Sequence, residues 1–138
     1  MLHILGYAGL IPFVMLPIVS LVWPLVAPAQ ALLVFQFYSC LILGFMAGAI
    51  WPVLYQPPAE TTRAIWAVSF PVLAIIVIAL LPAYSLVALA GLFVALRLYE
   101  YFTELNQHYS RAYRQLRNQL TTVVVICHLA FYIGYAYV

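Results

Sequence analysis

RLYEYFTELNQHYSRAYRQLRNQL, residues Arg97 to Leu120, is the one long stretch of the chain with the polarity of a water-exposed surface. It holds four of the five cations and two of the three anions, and apolar runs flank it on both sides. The chain has 138 residues, 68% of them hydrophobic and 6% charged, where a soluble domain has roughly 25% charged residues. In that setting the stretch marks where the chain leaves a membrane. A bilayer offers the backbone no water, so spanning segments are helices or closed barrels, and continuous rather than alternating apolar runs select helices. The expected fold is therefore all-α: a polytopic helical membrane protein of five transmembrane helices, forming a single domain over residues 1–138.

Working outward from the polar stretch, the spans are expected at about residues 4–25, 31–55, 64–81, 84–102 and 111–138, each near the ~20 residues that cross a hydrocarbon core. Pro12 and Pro17 in the first span remove backbone donors and predict a kink near its middle. Pro52 lies near the end of the second span, and the segment from Gln56 to Arg63, with adjacent prolines, reads as a polar turn with Thr61 or Thr62 as the following cap. Pro71 interrupts the third span, and Pro82-Ala83 turns the chain into the fourth. The apolar positions Leu98, Phe102, Leu105, Tyr109, Leu116 and Leu120 keep a helical spacing through the polar stretch. It therefore reads as two helix ends with a turn near Asn106 to Ser110.

Five spans bring the N-terminus, the turn before Arg63 and the Arg97 to Leu120 stretch to one side, together with all five arginines. The positive-inside rule then predicts the N-terminus inside and the C-terminus outside, in a bacterial inner (cytoplasmic) membrane. Aromatic residues fit a belt at each interface, with Tyr7, Trp51, Tyr55, Trp66, Tyr99, Tyr109 and Tyr113 inside and Trp23, Tyr84, Tyr135 and Tyr137 outside. No basic n-region precedes the first apolar segment, so that segment is expected to remain in the mature protein. The net charge of +2 is too small for a nucleic-acid partner.

Small residues mark expected helix-packing positions: Gly44 and Gly48 in the second span, Gly91 and Ala95 in the fourth, Ala130 and Gly134 in the fifth. The four-residue spacing permits close approach of two helices, either within this chain or with another protein.

Few residues offer chemistry. His128 falls about 13 Å into the fifth span, counted from Gln119 at 1.5 Å per residue, where an ionisable group is a functional candidate. It is positioned to relay a proton or to bind a quinone oxygen, a metal or a haem, or else to be a neutral imidazole hydrogen-bonded to a neighbouring helix. A bis-His haem needs a second imidazole at that depth, and His3 and His108 belong to the inner surface. No cofactor and no metal is expected. Cys40 and Cys127 lie in apolar runs without metal-ligand or CxxC spacing and read as buried thiols. No nucleophile, base and orienting acid come together in the sequence, so no enzyme is expected.

Arg97, Glu100 and Glu104 share a helical face, with Arg97 spaced to pair with Glu100. Arg111, Arg114 and Arg117 recur every three residues and fan over an arc of about 120°. Together these six are the expected partner- or lipid-binding residues, as a salt-bridge cluster touching anionic lipid phosphates or as a docking site for an acidic partner.

Several segments resemble the transmembrane-protein-69-like family, a domain family of unknown function found in bacteria and mitochondria. They are Gly6-Tyr7-Ala8-Gly9-Leu10-Ile11-Pro12-Phe13, Phe45-Met46-Ala47-Gly48-Ala49-Ile50-Trp51, Arg63 to Trp66 followed by Pro71, and Tyr113-Arg114-Gln115-Leu116-Arg117-Asn118-Gln119-Leu120-Thr121. The chain departs from that family at Ile50 and Pro52, where a polar His or Arg and then a Gly are expected. The resemblance implies a five-helix inner-membrane protein and supplies no activity.

Two function classes follow. The first is a non-catalytic accessory or assembly subunit of a larger membrane complex, energy-transducing or respiratory ones included, whose partners are other membrane subunits and anionic lipids. The alternative is a small-solute or proton transporter or channel using the proline-broken helices and His128. Transporters usually carry inverted repeats and several charges at the midplane, and neither is evident here. The subunit reading is therefore the expectation.

Overall fold

A computed structural model describes residues 2–23, 25–49, 61–103, 107 and 109–136, with the side chains of Leu2 and His3 excepted. Trp51, Pro52, Tyr55, the turn from Gln56 to Glu60, Glu104, Asn106, His108 and Tyr137 lie outside the described residues. Within them the protein is all-helical, with α1 (Leu2–Ala8), α2 (Ile11–Pro17), α3 (Pro28–Gly48), α4 (Thr61–Leu80), α5 (Ser85–Phe102) and α6 (Arg111–Ala136). Five stretches are long and apolar enough to cross a membrane: Ile4–Val22, Pro28–Gly48, Thr61–Leu80, Pro82–Phe102 and Arg111–Ala136.

The first stretch is broken twice, and each break has a local cause. At Gly9 the N–H is shared between the Leu5 carbonyl (3.3 Å) and the Gly6 carbonyl (3.2 Å), and at Leu10 the ladder gives way to a tighter bond from its N–H to the Tyr7 carbonyl (3.0 Å). Pro12, in the first turn of α2, has no N–H to continue the ladder. The Tyr38 hydroxyl reaches across from α3 and donates to the Gly9 carbonyl at 2.8 Å. Pro17 then ends α2, and the chain widens into one π-helical segment, Ile18–Val22, closed by Trp23 N–H on the Ile18 carbonyl at 2.8 Å. A missing donor followed by a widened turn is a recognised way to bend a helix.

Proline also sets the other boundaries. Pro28 occupies the first turn of α3, where its absent N–H costs nothing, so the helix starts earlier than residue 31. α4 likewise begins at Thr61 rather than 64. Pro82 opens a short 3-10 turn, Pro82–Tyr84, that leads directly into α5. Its carbonyl accepts the Ser85 hydroxyl at 3.1 Å.

Aromatic packing fixes how the helices meet. Phe13 (α2), Phe35 (α3), Phe93 (α5) and Phe131 (α6) are all fully buried. Phe13 and Phe35 meet edge-on at 5.4 Å, Phe13 and Phe93 at 6.3 Å, and Phe35 and Phe131 at 5.0 Å. α4 is the peripheral helix. It packs on α3, where Pro71 covers Gly44, and on α5, where Tyr99 lies 6.3 Å from Trp66 and 5.9 Å from Phe70. α1, the C-terminal end of α3 and the arginine-bearing ends of α4, α5 and α6 gather at one end of the bundle, with Gly6 against Leu116 and the Met46 carbonyl against Arg117. The π segment, the 3-10 turn and the C-terminal end of α6 gather at the other, with Gly134 against Leu21. α6, at 26 residues, is about 39 Å long and exceeds a hydrocarbon core of about 30 Å.

Candidate functional site

The last two helices run antiparallel, which sets Arg97 and Glu100 of α5 opposite Arg117 and Asn118 of α6. Glu100 is fully buried and Arg117 is 3% exposed. A buried carboxylate needs both oxygens engaged, and it has them. Oε2 accepts from Arg97 Nη1 at 3.1 Å and from Arg117 Nε at 2.8 Å, while Oε1 accepts from Arg117 Nη2. The guanidinium fork of Arg117 thus meets the carboxylate through two nitrogens, the geometry that makes arginine the preferred partner for a desolvated acid. Arg97 Nε donates to Asn118 Oδ1 at 2.7 Å.

Arg117 does more than close the α5–α6 hairpin. Nη2 also donates to the Met46 carbonyl, in the last turn of α3, at 3.4 Å. Nη1 donates to the Tyr113 hydroxyl at 3.0 Å. The guanidinium carbon lies 5.5 Å from the ring centroids of both Tyr109 and Tyr113, and those rings meet edge-on at 4.8 Å. One side chain therefore ties three helices and is clamped by two aromatic faces. The triad of Arg97, Glu100 and Arg117 carries two positive charges against one negative.

Ser110 caps α6: its hydroxyl accepts the Tyr113 N–H at 3.2 Å and its carbonyl accepts the Arg114 N–H at 2.9 Å. That places Tyr109 just outside the helix with its ring on Arg117. Its hydroxyl is buried and has no hydrogen-bond partner among the described residues. Burial pushes the Tyr109 phenol up to about 12, with nearby Tyr113 adding to the shift and Arg97 opposing it. In an absorbance titration Tyr109 is therefore expected to stay protonated through pH 10, where exposed tyrosines ionise. Because the folded pKa lies above the unfolded one, its contribution to stability is complete below about pH 10 and is lost as pH rises toward 12. A Tyr109→Phe variant whose titration curve overlays the parent's between pH 11 and 12.5 would show the assignment to be mistaken.

Beside this cluster lies a cavity of about 870 Å³, toward the upper end of the roughly 300–1,000 Å³ typical of small-molecule sites. Its walls are apolar and come from α1 and α2, from α3 and from α6, with Phe13, Ile42, Phe45 and Leu120 among them. One end is polar and is formed by Tyr109, Ser110, Tyr113 and Arg117. Leu5, Phe45 and Ala112, also in its walls, are exposed, so the cavity communicates with the outside of the bundle.

His128 is fully buried deeper along α6. Its Nδ1 lies 2.7 Å from the Val124 carbonyl and its Nε2 lies 2.8 Å from the Ser39 hydroxyl. A carbonyl only accepts, which assigns a proton to Nδ1; the single Ser39 hydroxyl proton faces both Nε2 and the Phe35 carbonyl, the latter at 2.9 Å. Phe35, Phe93 and Phe13 surround the ring at 4.7, 5.5 and 5.6 Å. Both nitrogens are thus engaged by protein atoms. Among the described residues no three His, Cys, Asp or Glu side chains come together as a metal site. The Gln36 side-chain amide donates to the Ser85 hydroxyl in the same interior, and Cys40 and Cys127 are half-buried free thiols.

The remaining sequence-derived positions separate by environment. Arg111 is exposed and Arg114 half-buried at the start of α6, and Glu104 is outside the described residues. Gly44 faces Pro71, with 3.7 Å between a Cβ built there and the proline Cβ. Gly134 faces Leu21, which would have to move for any side chain. Among the described residues, nothing stands within 4 Å of a Cβ built at Gly48 or Gly91, and Ala95 and Ala130 are exposed. Sequence reasoning did not single out Tyr109, Tyr113 and Asn118 as partners of the arginines. The signal for the tyrosines was present: Tyr113 and Arg117 lie four residues apart on one helical face, and Tyr109 precedes them at the same spacing just outside the helix.

Residues 1–133 match the model of a protein family described as a protein of unknown function (DUF3429). No curated protein and no solved structure matches the chain.

Proposed function

The chain belongs to the DUF3429 family, whose function is unknown, and from that starting point we propose that it is a non-catalytic accessory or assembly subunit of a larger integral-membrane complex. The observation that carries this reading is the outward face of α5. Gly91 and Ala95 are both exposed one turn apart, nothing stands within 4 Å of a Cβ built at Gly91, and Val87, Val94 and Leu98 flank them in the open. A helix face that meets only lipid has no need of small residues, whereas a groove of this spacing lets a second helix approach closely. Nearly all of the described chain is in spanning helices, which suits a protein that acts through helix contacts.

We further infer that the chain sits in a bacterial inner membrane with its arginine-bearing end in the cytoplasm. The described arginines, at 63, 97, 111, 114 and 117, all sit at one end of the bundle, which supports this orientation. The likeness of its segments to the transmembrane-protein-69-like family supports the same placement.

Gly91→Leu with Ala95→Leu tests the reading. The positions are open, so the fold is expected to survive. Affinity purification in mild detergent is expected to recover partner subunits with the parent and to lose them at least fivefold with the double variant. Recovery of this chain alone from the parent, together with solute flux through liposomes that contain it, would favour the transporter instead.

A further inference from the structure

We infer that the cavity between α1, α2, α3 and α6 holds an acyl chain of one anionic phospholipid drawn from the bilayer, with the lipid phosphate at Tyr109, Tyr113 and Arg117.

Three observations converge on that occupant. The first is shape. The cavity follows α6 from Ser110 to Val124, about 21 Å at 1.5 Å per residue, and its walls below the polar end are aliphatic and aromatic side chains. A long apolar slot with one polar end fits an amphiphile rather than a compact polar solute.

The second is hydrogen-bonding demand. Arg117 Nη1 carries two hydrogens, and Tyr113 accepts one of them. Tyr113, having accepted, still has its own hydroxyl proton to donate. The Tyr109 hydroxyl is buried with no partner among the described residues. The unspent capacity at the polar end is thus donors on three neighbouring groups, while both oxygens of Glu100 are already engaged. Buried donors call for an acceptor, and a phosphate offers several.

The third is charge. Two arginines share one glutamate, and α6 begins with Arg111 and Arg114 and no acidic residue in its first turn, although the start of a helix already carries partial positive charge. A zwitterionic headgroup would bring its own cation to this end; an anionic one would not. Depth agrees as well. Arg117 lies six residues from the start of α6, about 9 Å, which matches the excess of this helix over the hydrocarbon core and so puts the guanidinium near the boundary where lipid phosphates reside.

The test uses the full chain in nanodiscs of equal parts phosphatidylglycerol and phosphatidylcholine, transferred to mild detergent and weighed by native mass spectrometry. The expected result is one retained phosphatidylglycerol per chain, favoured about tenfold over phosphatidylcholine. Tyr109→Phe removes only the unpartnered hydroxyl and is expected to cut that preference about fivefold. Ala112→Phe adds bulk at an exposed wall position, away from the ion cluster, and is expected to reduce retention of either lipid about tenfold. Thermal melting identical to the parent's would establish that both variants fold. Equal retention of the two lipids by the parent, or phosphatidylglycerol retention unchanged in both folded variants, overturns the inference.

Discussion

Glu100→Gln is expected to destabilise the protein by about 3–5 kcal/mol, the cost of removing one partner from a buried ion pair. The amide keeps the shape of the carboxylate and loses its charge, so Arg97 and Arg117 are left facing each other without the anion that both contact. Neither can turn to water easily. Arg117 is 3% exposed and is held by Tyr113 and by the Met46 carbonyl. The loss should appear as a lower melting temperature in detergent and a lower yield of monodisperse protein. It should also report position rather than charge count alone, because Arg111→Gln, at an exposed site, is expected to change stability by less than about 0.5 kcal/mol. Replacing both Glu100 and Arg117 by leucine and methionine is expected to recover part of the loss, since apolar residues of similar volume often substitute for a buried pair without penalty. If Glu100→Gln melts within a degree of the parent, the pair does not hold the hairpin.

Phe35→Ala is expected to cost about 3 kcal/mol, at the low end of the range for a buried phenylalanine. The low end applies because lipid is as apolar as the protein interior. What the ring contributes is contact rather than removal from water. Phe35 is fully buried and touches Phe13, Phe131 and His128 at 5.4, 5.0 and 4.7 Å, so its loss would open a void where α2, α3 and α6 meet. Phe37, two residues along α3, is 64% exposed and serves as the comparator: its replacement by alanine is expected to stay within about 0.5 kcal/mol. Equal losses at the two positions, measured by titration from mild detergent into a denaturing one, would mean that the aromatic cluster does not organise the bundle.

The five long helices were legible because each is a continuous apolar run of the length that could cross a bilayer, which needs no tertiary context to read. Boundaries moved by about three residues at Pro28 and Thr61, which begin helices that hydropathy alone placed later. The bend in the first span was legible from Pro12 and Pro17, but its form, a break at Gly9 that accepts the Tyr38 hydroxyl and then a π segment after Pro17, was not. The arginines were harder. Spaced every three residues, Arg111, Arg114 and Arg117 look alike in the sequence, yet only Arg117 lies on the stripe that also buries Thr121, Val124 and His128. Projecting that stripe back from His128 by four, three and four residues reaches Arg117. The cavity had no such trace, because its walls come from helices distant in sequence and its shape depends on where the first span is broken.

In the membrane setting proposed above, the pairing of Glu100 with Arg117 also bears on how the chain would enter the bilayer. These residues are 17 positions apart and belong to consecutive helices, and a lone charged residue at a helix centre opposes insertion by about 2.5–3.5 kcal/mol. Near the helix end the cost is smaller but has the same sign. A newly made α5 released into lipid by itself would carry Glu100 with Arg97 as its one cationic partner and Oε1 without the Arg117 donor, and α6 would carry Arg117 without its acid. In that setting the insertion machinery would be favoured to hold α5 until α6 has emerged and to release the two as a paired hairpin, so that biogenesis of the C-terminal half would become a single late event.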